Sequence, residues 1–590
     1  MEVLRKKIEA CLLILNRKNK GDKIWLNDLC AALLEFSTLV HSSMCSEKQN
    51  ESSELVCLCL TQIMICIRQM ENTIKLGCGS SDSASHQYFL DRIWWCLKRL
   101  LHLYTEGSSK DALTPERSFL KLVDSILDTL SLFTSHNEEN TEPLNSLNSP
   151  QEVLSISQKL RTDIDFVLGQ SLGFANVALS QDKKALSALC QKVIRECNVF
   201  QEECKVPSAS YSSNLKLRAI NLEQALYQLE DFINDALLRL VFTCFMDFDK
   251  FSVEKIRNLL RNSSEDDEIA DEFIADFDVN IDRATQIGIF AISFAPNLKM
   301  KTMMRSCLAS FESLDTILIP SLQTHGTDFH SEILEQHFNE EVAKFKAALQ
   351  EIIDSRCLLG CCLEILTSGI CDTEKLYDKQ RLEDLVKMCL LLIEHFQLEV
   401  NRKVLSETKN QVGEEFYQQF IRILRECKAI LMCASQVEPQ RILKRFKILR
   451  TILRKLHGCL GAGKQEDELP NPIGPLLLNE INDTTENEPL TQLTLHPGSI
   501  LYDTERRSRV NRIKDNNLAT NTFDIKLQKT KPYGKGNVLR RESLRTVLFK
   551  RQNIAESRKQ YTMISNQSAD LQITDILDQL TGMSNGYFEF

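Results

Sequence analysis

Apolar residues recur at alternating four- and three-residue steps through most of the first 460 residues, the spacing that keeps side chains on one face of an α-helix. The pattern is most regular over residues 214–322. There Leu222, Leu226, Leu229, Ile233, Ala236 and Leu240 make one seam, and Ile274, Phe277, Ile281, Ala284, Gly288, Ala291 and Ala295 a second. Met300, Met304, Cys307, Phe311, Leu314 and Leu318 make a third. No β-alternating run lies between them, so each seam can bury itself only against other helices. The expected fold class is all-α, built from consecutive antiparallel helix bundles.

Local punctuation agrees. No glycine lies between Gly173 and Gly288 and no proline between Pro207 and Pro296, so the spacing predicts long uninterrupted helices there. Ser264, followed by four acids, reads as a helix N-cap. Pro296 ends the next helix and Asn297 can cap another, which folds two helices back across a short turn. The same period predicts helices over 3–17, 25–43, 53–76, 85–104 and 115–134. After Phe329 it predicts helices over 333–367, 374–407, 414–435 and 441–457. The polar stretch 135–148 precedes Ser149-Pro150-Gln151-Glu152, a capping box with proline at the first helical position. From Gly458 the sequence collects glycine, proline and charge and loses its apolar period. These breaks divide the chain into an N-terminal bundle over 1–140, a middle bundle over 149–323 and a C-terminal bundle over 328–462. A largely disordered basic tail over 463–590 would hold short helices at 541–549 and 569–580.

Charge separates the tail from the body. Residues 501–560 carry 16 Lys and Arg against 6 Asp and Glu, a net +10, whereas the whole chain is −10, so the remainder sums to −20. A basic tail on an acidic body suits anionic lipid, acidic actin or the body itself. Nucleic acid is not an expected partner, because no reader motif accompanies the charge. The 21 cysteines are scattered through helix-period segments, which fits reduced thiols serving as small apolar residues in a cytoplasmic protein. The apolar run 55–67 falls short of the ~20 residues that span a bilayer, so membrane contact is expected to be peripheral.

The run 277–318, FDVNIDRATQIGIFAISFAPNLKMKTMMRSCLASFESLDTIL, resembles the vinculin/α-catenin family, in which a helix ending in small residues breaks and a following helix carries an arginine and a Leu-Glu-x-Leu-like element. Ala291, Ser293, Asn297, Arg305, Glu312 and Leu314 sit at matching places. QLEDFINDALLRLVF, residues 228–242, is similar to the family's preceding helix. The resemblance implies a non-enzymatic scaffold that links actin filaments, directly or through actin-associated proteins, to the inner face of the plasma membrane. The chain's length and its tail segments are most similar to an insect member, for which blastoderm cellularisation is the implied setting. The family's C-terminal five-helix actin-binding bundle has no match here, so direct and indirect actin contact both remain open.

The enzyme-like motifs read as bland. Gly458, Gly463 and Lys464 match the start of a phosphate loop, the basis of an alternative reading as a nucleotide-dependent enzyme. Gln465 stands where the magnesium-binding hydroxyl belongs, and a basic helix precedes it in place of a strand. Asp276, Asp278 and Asn280 open like a calcium loop, which then fails at Ile281 and Ile287. The nine carboxylates of 265–282 read as a solvated helix face. Cys357, Cys361 and Cys362 lack partners for a zinc site. His325, His330 and His337 read as turn and outer-face residues. No catalytic constellation, cofactor or metal is expected.

Two candidate sites remain. Over 441–457, Ile442, Phe446, Leu449, Leu453 and Leu456 form an apolar stripe that can close the last bundle. Arg441, Lys444, Arg445, Lys447, Arg450, Arg454 and Lys455 cover much of the rest without an acid among them, a face suited to an anionic membrane or partner. In the tail, Arg540 and Arg541 precede Ser543, a candidate phosphosite whose modification would subtract up to about two charges from the basic segment.

Overall fold

The three seams become buried helix faces in the computed structural model. It describes residues 2–16, 23–44, 51–75, 84–106, 119–134, 150–205, 213–262, 267–295, 297–323, 329–406, 412–461 and 500–502. Among these there are α-helices, a short 3-10 turn at Ala434–Gln436 and no strand. Ser264, Pro296, Ser149, and the tail apart from 500–502 lie outside the described residues.

Helices α1 (Glu2–Leu15), α2 (Lys23–Met44), α3 (Glu51–Lys75) and α4 (Ala84–Glu106) form the first group, with α1 against α2 and α4, and α3 against α4. The next are α5 (Phe119–Thr134), α6 (Pro150–Val177), α7 (Ser180–Cys204), α8 (Ser213–Lys250), α9 (Val253–Asn262) and α10 (Asp267–Phe294). Here α8 packs on α5, α7 and α10, and α6 on α5 and α7. Then follow α11 (Leu298–Asp315), α12 (Leu318–Gln323) and α13 (Phe329–Ile352). The last group is α14 (Ser355–Lys375), α15 (Lys379–Gln397), α16 (Glu399–Ser406), α17 (Val412–Met432) and α18 (Pro439–Gly461).

Spatial neighbours do not always follow chain order. Helix α5 packs on α6 and α8, while α11 lies between α10, α13 and the distant α3. Thus α3 serves two groups at once, which explains why it is apolar nearly all round. Leu55, Val56, Leu58, Cys59, Leu60, Ile63, Cys66 and Ile67 are all buried. Its stretch Ser53–Ile74 is long and apolar enough to cross a membrane by length and composition, and 72% of its apolar window is buried within the fold. The expectation that this segment is too short is therefore corrected, since the run 55–67 continues in helical phase on both sides.

The chain also breaks where no glycine or proline signals it. Between α8 and α9, the Ser252 carbonyl accepts the N–H groups of Lys255 and Ile256. Expected helices 333–367 and 374–407 are each two helices. Asp354 caps α14 by accepting the N–H groups of Arg356 and Cys357, and Asp378 caps α15 through those of Gln380 and Arg381. Asn297 caps α11 as expected, accepting the Met300 N–H at 2.8 Å.

Two further expectations change. His337 lies in the interior, edge-on to Phe89, and burial pushes its imidazole down to about 3, so it is neutral at physiological pH. In the acidic segment Asp271, Glu272 and Asp276 are exposed, but Asp278 is buried. The described cysteines are free thiols, and of these only Cys371 and Cys433 are exposed.

Candidate functional site

Helix α18 meets α14 on one side and α17 on the other, and it does so through the apolar stripe read from its sequence. Ile442, Phe446, Leu449, Leu453 and Leu456 are fully buried. Their four-and-three spacing forces the intervening cations outward. Arg441, Lys444, Arg445, Lys447, Arg454 and Lys455 are exposed and Arg450 is half-buried.

The seven cations divide into those with and without an acid on a neighbouring helix. Arg445 pairs with Glu426 of α17 at 3.0 Å, and Lys447 pairs with Glu374 of α14. The hydrogen bond from Lys447 holds the Glu374 carboxyl below its usual range, and the charges of Lys447 and Arg450 add to the effect. Lys455 extends its ammonium to 5.7 Å from the centre of the Phe416 ring. Among the described residues, no ion pair involves Arg441, Lys444 or Arg454. The expectation of a face without neutralising acids thus holds for α18 itself and is corrected for the bundle, because α14 and α17 supply two.

The glycine motif takes a different form from a phosphate loop. Helix α18 runs through Gly458 to Gly461, so the start of the motif is helical; Gly463, Lys464 and Gln465 lie outside the described residues. On the inner side of α18, His457 packs against α14, its Nε2 lying 3.3 Å from where a Cβ on Gly360 would be. Burial lowers the His457 pKa, and Arg356 lowers it further. Cys361 and Cys362 are buried, and Cys357 half-buried. Ser543 lies outside the described residues.

Residues matched to the family motif cluster along α10 and α11. Ala291 and Leu314 are buried. The Arg305 Nε donates to Glu54 Oε1 of α3 at 2.7 Å. Glu312 Oε2 accepts the backbone N–H groups of Ile500 and Leu501, which ties a piece of the C-terminal region to the body. Nothing in the spacing of α3, α4 or α11 signals that contact, since Glu312 and Gln62 fall on buried helix positions where apolar residues are the rule.

Comparisons with known proteins cover most of the chain. A family model described as Serendipity locus alpha protein (SRY-A) matches residues 1–491. The Serendipity locus protein alpha of Drosophila virilis is 38% identical over 452 residues, which is 73% of this chain and 82% of that protein. Its counterpart in Drosophila subobscura is 36% identical over 487 residues, 79% of this chain and 86% of that one. Among solved structures, a vinculin homologue of a sponge aligns with a TM-score of 0.49 at 12% identity, over 80% of this chain and 60% of that chain. The HMP-1 M domain aligns with a TM-score of 0.38 at 11% identity, over 58% and 97% respectively.

Proposed function

The chain belongs to the Serendipity locus alpha protein family, and on that premise we propose that it is a non-enzymatic cytoskeletal adaptor of the vinculin/α-catenin type. Its task is to organise actin, directly or through actin-associated proteins, at the inner face of the plasma membrane during cellularisation of the insect blastoderm. The observation that carries the membrane arm is the set Arg441, Lys444 and Arg454, exposed on a helix whose opposite face is locked into the last bundle. Such cations attract anionic lipid at about 1 kcal/mol each near the surface, and the attraction weakens as salt screens it. The helix need not leave the bundle to make that contact. The actin arm draws its support from the family resemblance of residues 228–242 and 277–318.

The test is a three-component flotation of the purified full chain with liposomes containing phosphatidylserine and with actin filaments. The chain floats with anionic liposomes at low salt and is released by raised salt, and filaments that float only when the chain is present mark the direct form of actin contact. Flotation indifferent to lipid charge and salt would overturn the membrane arm. Filaments left at the bottom in the presence of bound chain would overturn direct actin contact.

A further inference from the structure

Residues Ile500, Leu501 and Tyr502 lie against α3, α4 and α11, some forty positions beyond the end of α18. Their contacts read the main chain as well as the side chains. Glu312 Oε2 accepts the N–H of Ile500 at 3.2 Å and that of Leu501 at 3.4 Å. The Trp95 indole N–H donates to the Leu501 carbonyl at 2.8 Å. The Leu501 side chain is buried, so one apolar residue is selected between polar anchors.

Tyr502 is held at both its ring and its hydroxyl. The Arg92 guanidinium lies between two aromatic rings, 3.5 Å from the centre of Tyr88 and 5.0 Å from that of Tyr502. The Tyr502 hydroxyl donates to Gln62 Oε1 at 2.6 Å. Gln62 is itself fixed in advance, because its Nε2 donates to the Ser306 carbonyl, Ser306 Oγ and Ser310 Oγ of α11. Its amide oxygen is thereby left facing the groove as a buried acceptor, which favours a hydroxyl donor and penalises a ligand without one. Burial also raises the Tyr502 phenol well above its ordinary range, so it remains a donor.

We propose that the groove between α3, α4 and α11 is a recognition site for a short apolar-Leu-Tyr segment, occupied in the resting chain by its own Ile500–Tyr502. The site recognises an extended peptide by two N–H groups on Glu312, one carbonyl on Trp95, a leucine pocket and a tyrosine hydroxyl on Gln62. A phosphate on the tyrosine removes the donated hydrogen and brings two negative charges into a covered pocket, so the phosphorylated segment is excluded. Because the occupant is tethered, a free copy of the segment competes poorly until the tethered one is weakened.

The test uses the full chain and a fluorescein-labelled peptide of residues 496–506, followed by fluorescence polarisation. Wild type binds the peptide at least about tenfold more weakly than Leu501→Asp, in which the groove is vacated. In the Leu501→Asp background, the peptide with phenylalanine for tyrosine binds about tenfold more weakly, as loss of one buried hydrogen bond requires. The phosphotyrosine peptide does not bind, and adding Glu312→Ala to the chain abolishes binding of the parent peptide. Circular dichroism identical to wild type shows that the variants fold, and Tyr502→Ala replaces Leu501→Asp if the latter does not. Equal binding by wild type and the vacated variant, or by neither, would overturn the proposal. A native dimer that dissociates on Leu501→Asp would assign the occupant to a second copy and overturn occupancy within one chain.

Discussion

A methyl group on Gly288 of α10 would lie 2.7 Å from Leu308 Cδ2 of α11, so these two helices touch through a position that has no room for a side chain. Leu308 is itself buried, which limits how far it can swing away. Gly288→Ala gains about 1 kcal/mol of helix propensity but overfills the contact at about 1–3 kcal/mol, and a net loss is expected. Gly458 is the control, since a Cβ there meets nothing within 4 Å. Gly458→Ala should be neutral or stabilising by up to about 1 kcal/mol. Urea unfolding should come at lower denaturant for Gly288→Ala and at unchanged or higher denaturant for Gly458→Ala, and equal shifts would refute the close approach.

The ion pair between Arg305 and Glu54 joins α11 to α3 and is largely covered, with side-chain exposures of 8% and 18%. Arg305→Ala strands a carboxylate in that cover and should cost about 2–4 kcal/mol. The double change Arg305→Met with Glu54→Leu removes both charges and fills the space, so much of that loss should return. A double change as damaging as the single one would show that the pair stabilises by more than mutual charge compensation.

His337 makes stability depend on pH in a predictable direction. Its folded pKa of about 3 lies below the ordinary 6.5, so the unfolded chain takes up the proton first. The contribution of neutral His337 is present above pH 6.5 and drains away as pH falls from there toward 3, about 2 kcal/mol by pH 5. Buried Glu341 on the same helix is shifted up, and its contribution runs the other way. Lys344 and Arg92 add positive charge near the ring. Comparison with His337→Phe isolates the imidazole, and the stability difference between wild type and variant should widen in the variant's favour between pH 7.5 and 5. Parallel curves would mean that the ring is protonated in the folded chain.

The division of the basic face into paired and unpaired cations predicts two kinds of variant. Arg441→Glu with Lys444→Glu and Arg454→Glu should weaken flotation with anionic liposomes and leave the melting temperature unchanged. Arg445→Glu with Lys447→Glu faces Glu426 and Glu374 with like charge, so it should lower the melting temperature as well. If the first triple changes melting and spares flotation, the face serves the bundle rather than the membrane.

Burial was legible wherever a seam was regular. Leu222, Leu229, Ile233 and Leu240 in α8, and Ile442, Phe446 and Leu453 in α18, are all fully buried. Helix ends were less legible, because the apolar phase continues across them. Between α13 and α14 it carries past Ile353 and Asp354, and only the carboxylate accepting two N–H groups marks the break. Lone polar residues on buried faces were not legible at all. His337, Asp278, Gln62 and Glu312 look like surface residues by type yet are buried, and three of them meet partners far away in the chain: His337 meets Phe89, Gln62 meets Ser306 and Glu312 meets Ile500. The basic stripe was read correctly as to direction, but its pairing with Glu374 and Glu426 depends on which helices flank it.

The covered thiols turn the chain into its own recorder of local opening. Burial pushes Cys11 in α1, Cys190 in α7 and Cys427 in α17 up to about 12, and it raises Cys307 in α11 as well. A maleimide or iodoacetamide pulse requires both access and thiolate, so at neutral pH these sites stay silent until their helix lifts away. Exposed Cys371 and Cys433 react at once and set the zero of the clock. Mass spectrometry after timed pulses would then rank the helices by how often each detaches, without introducing a single probe.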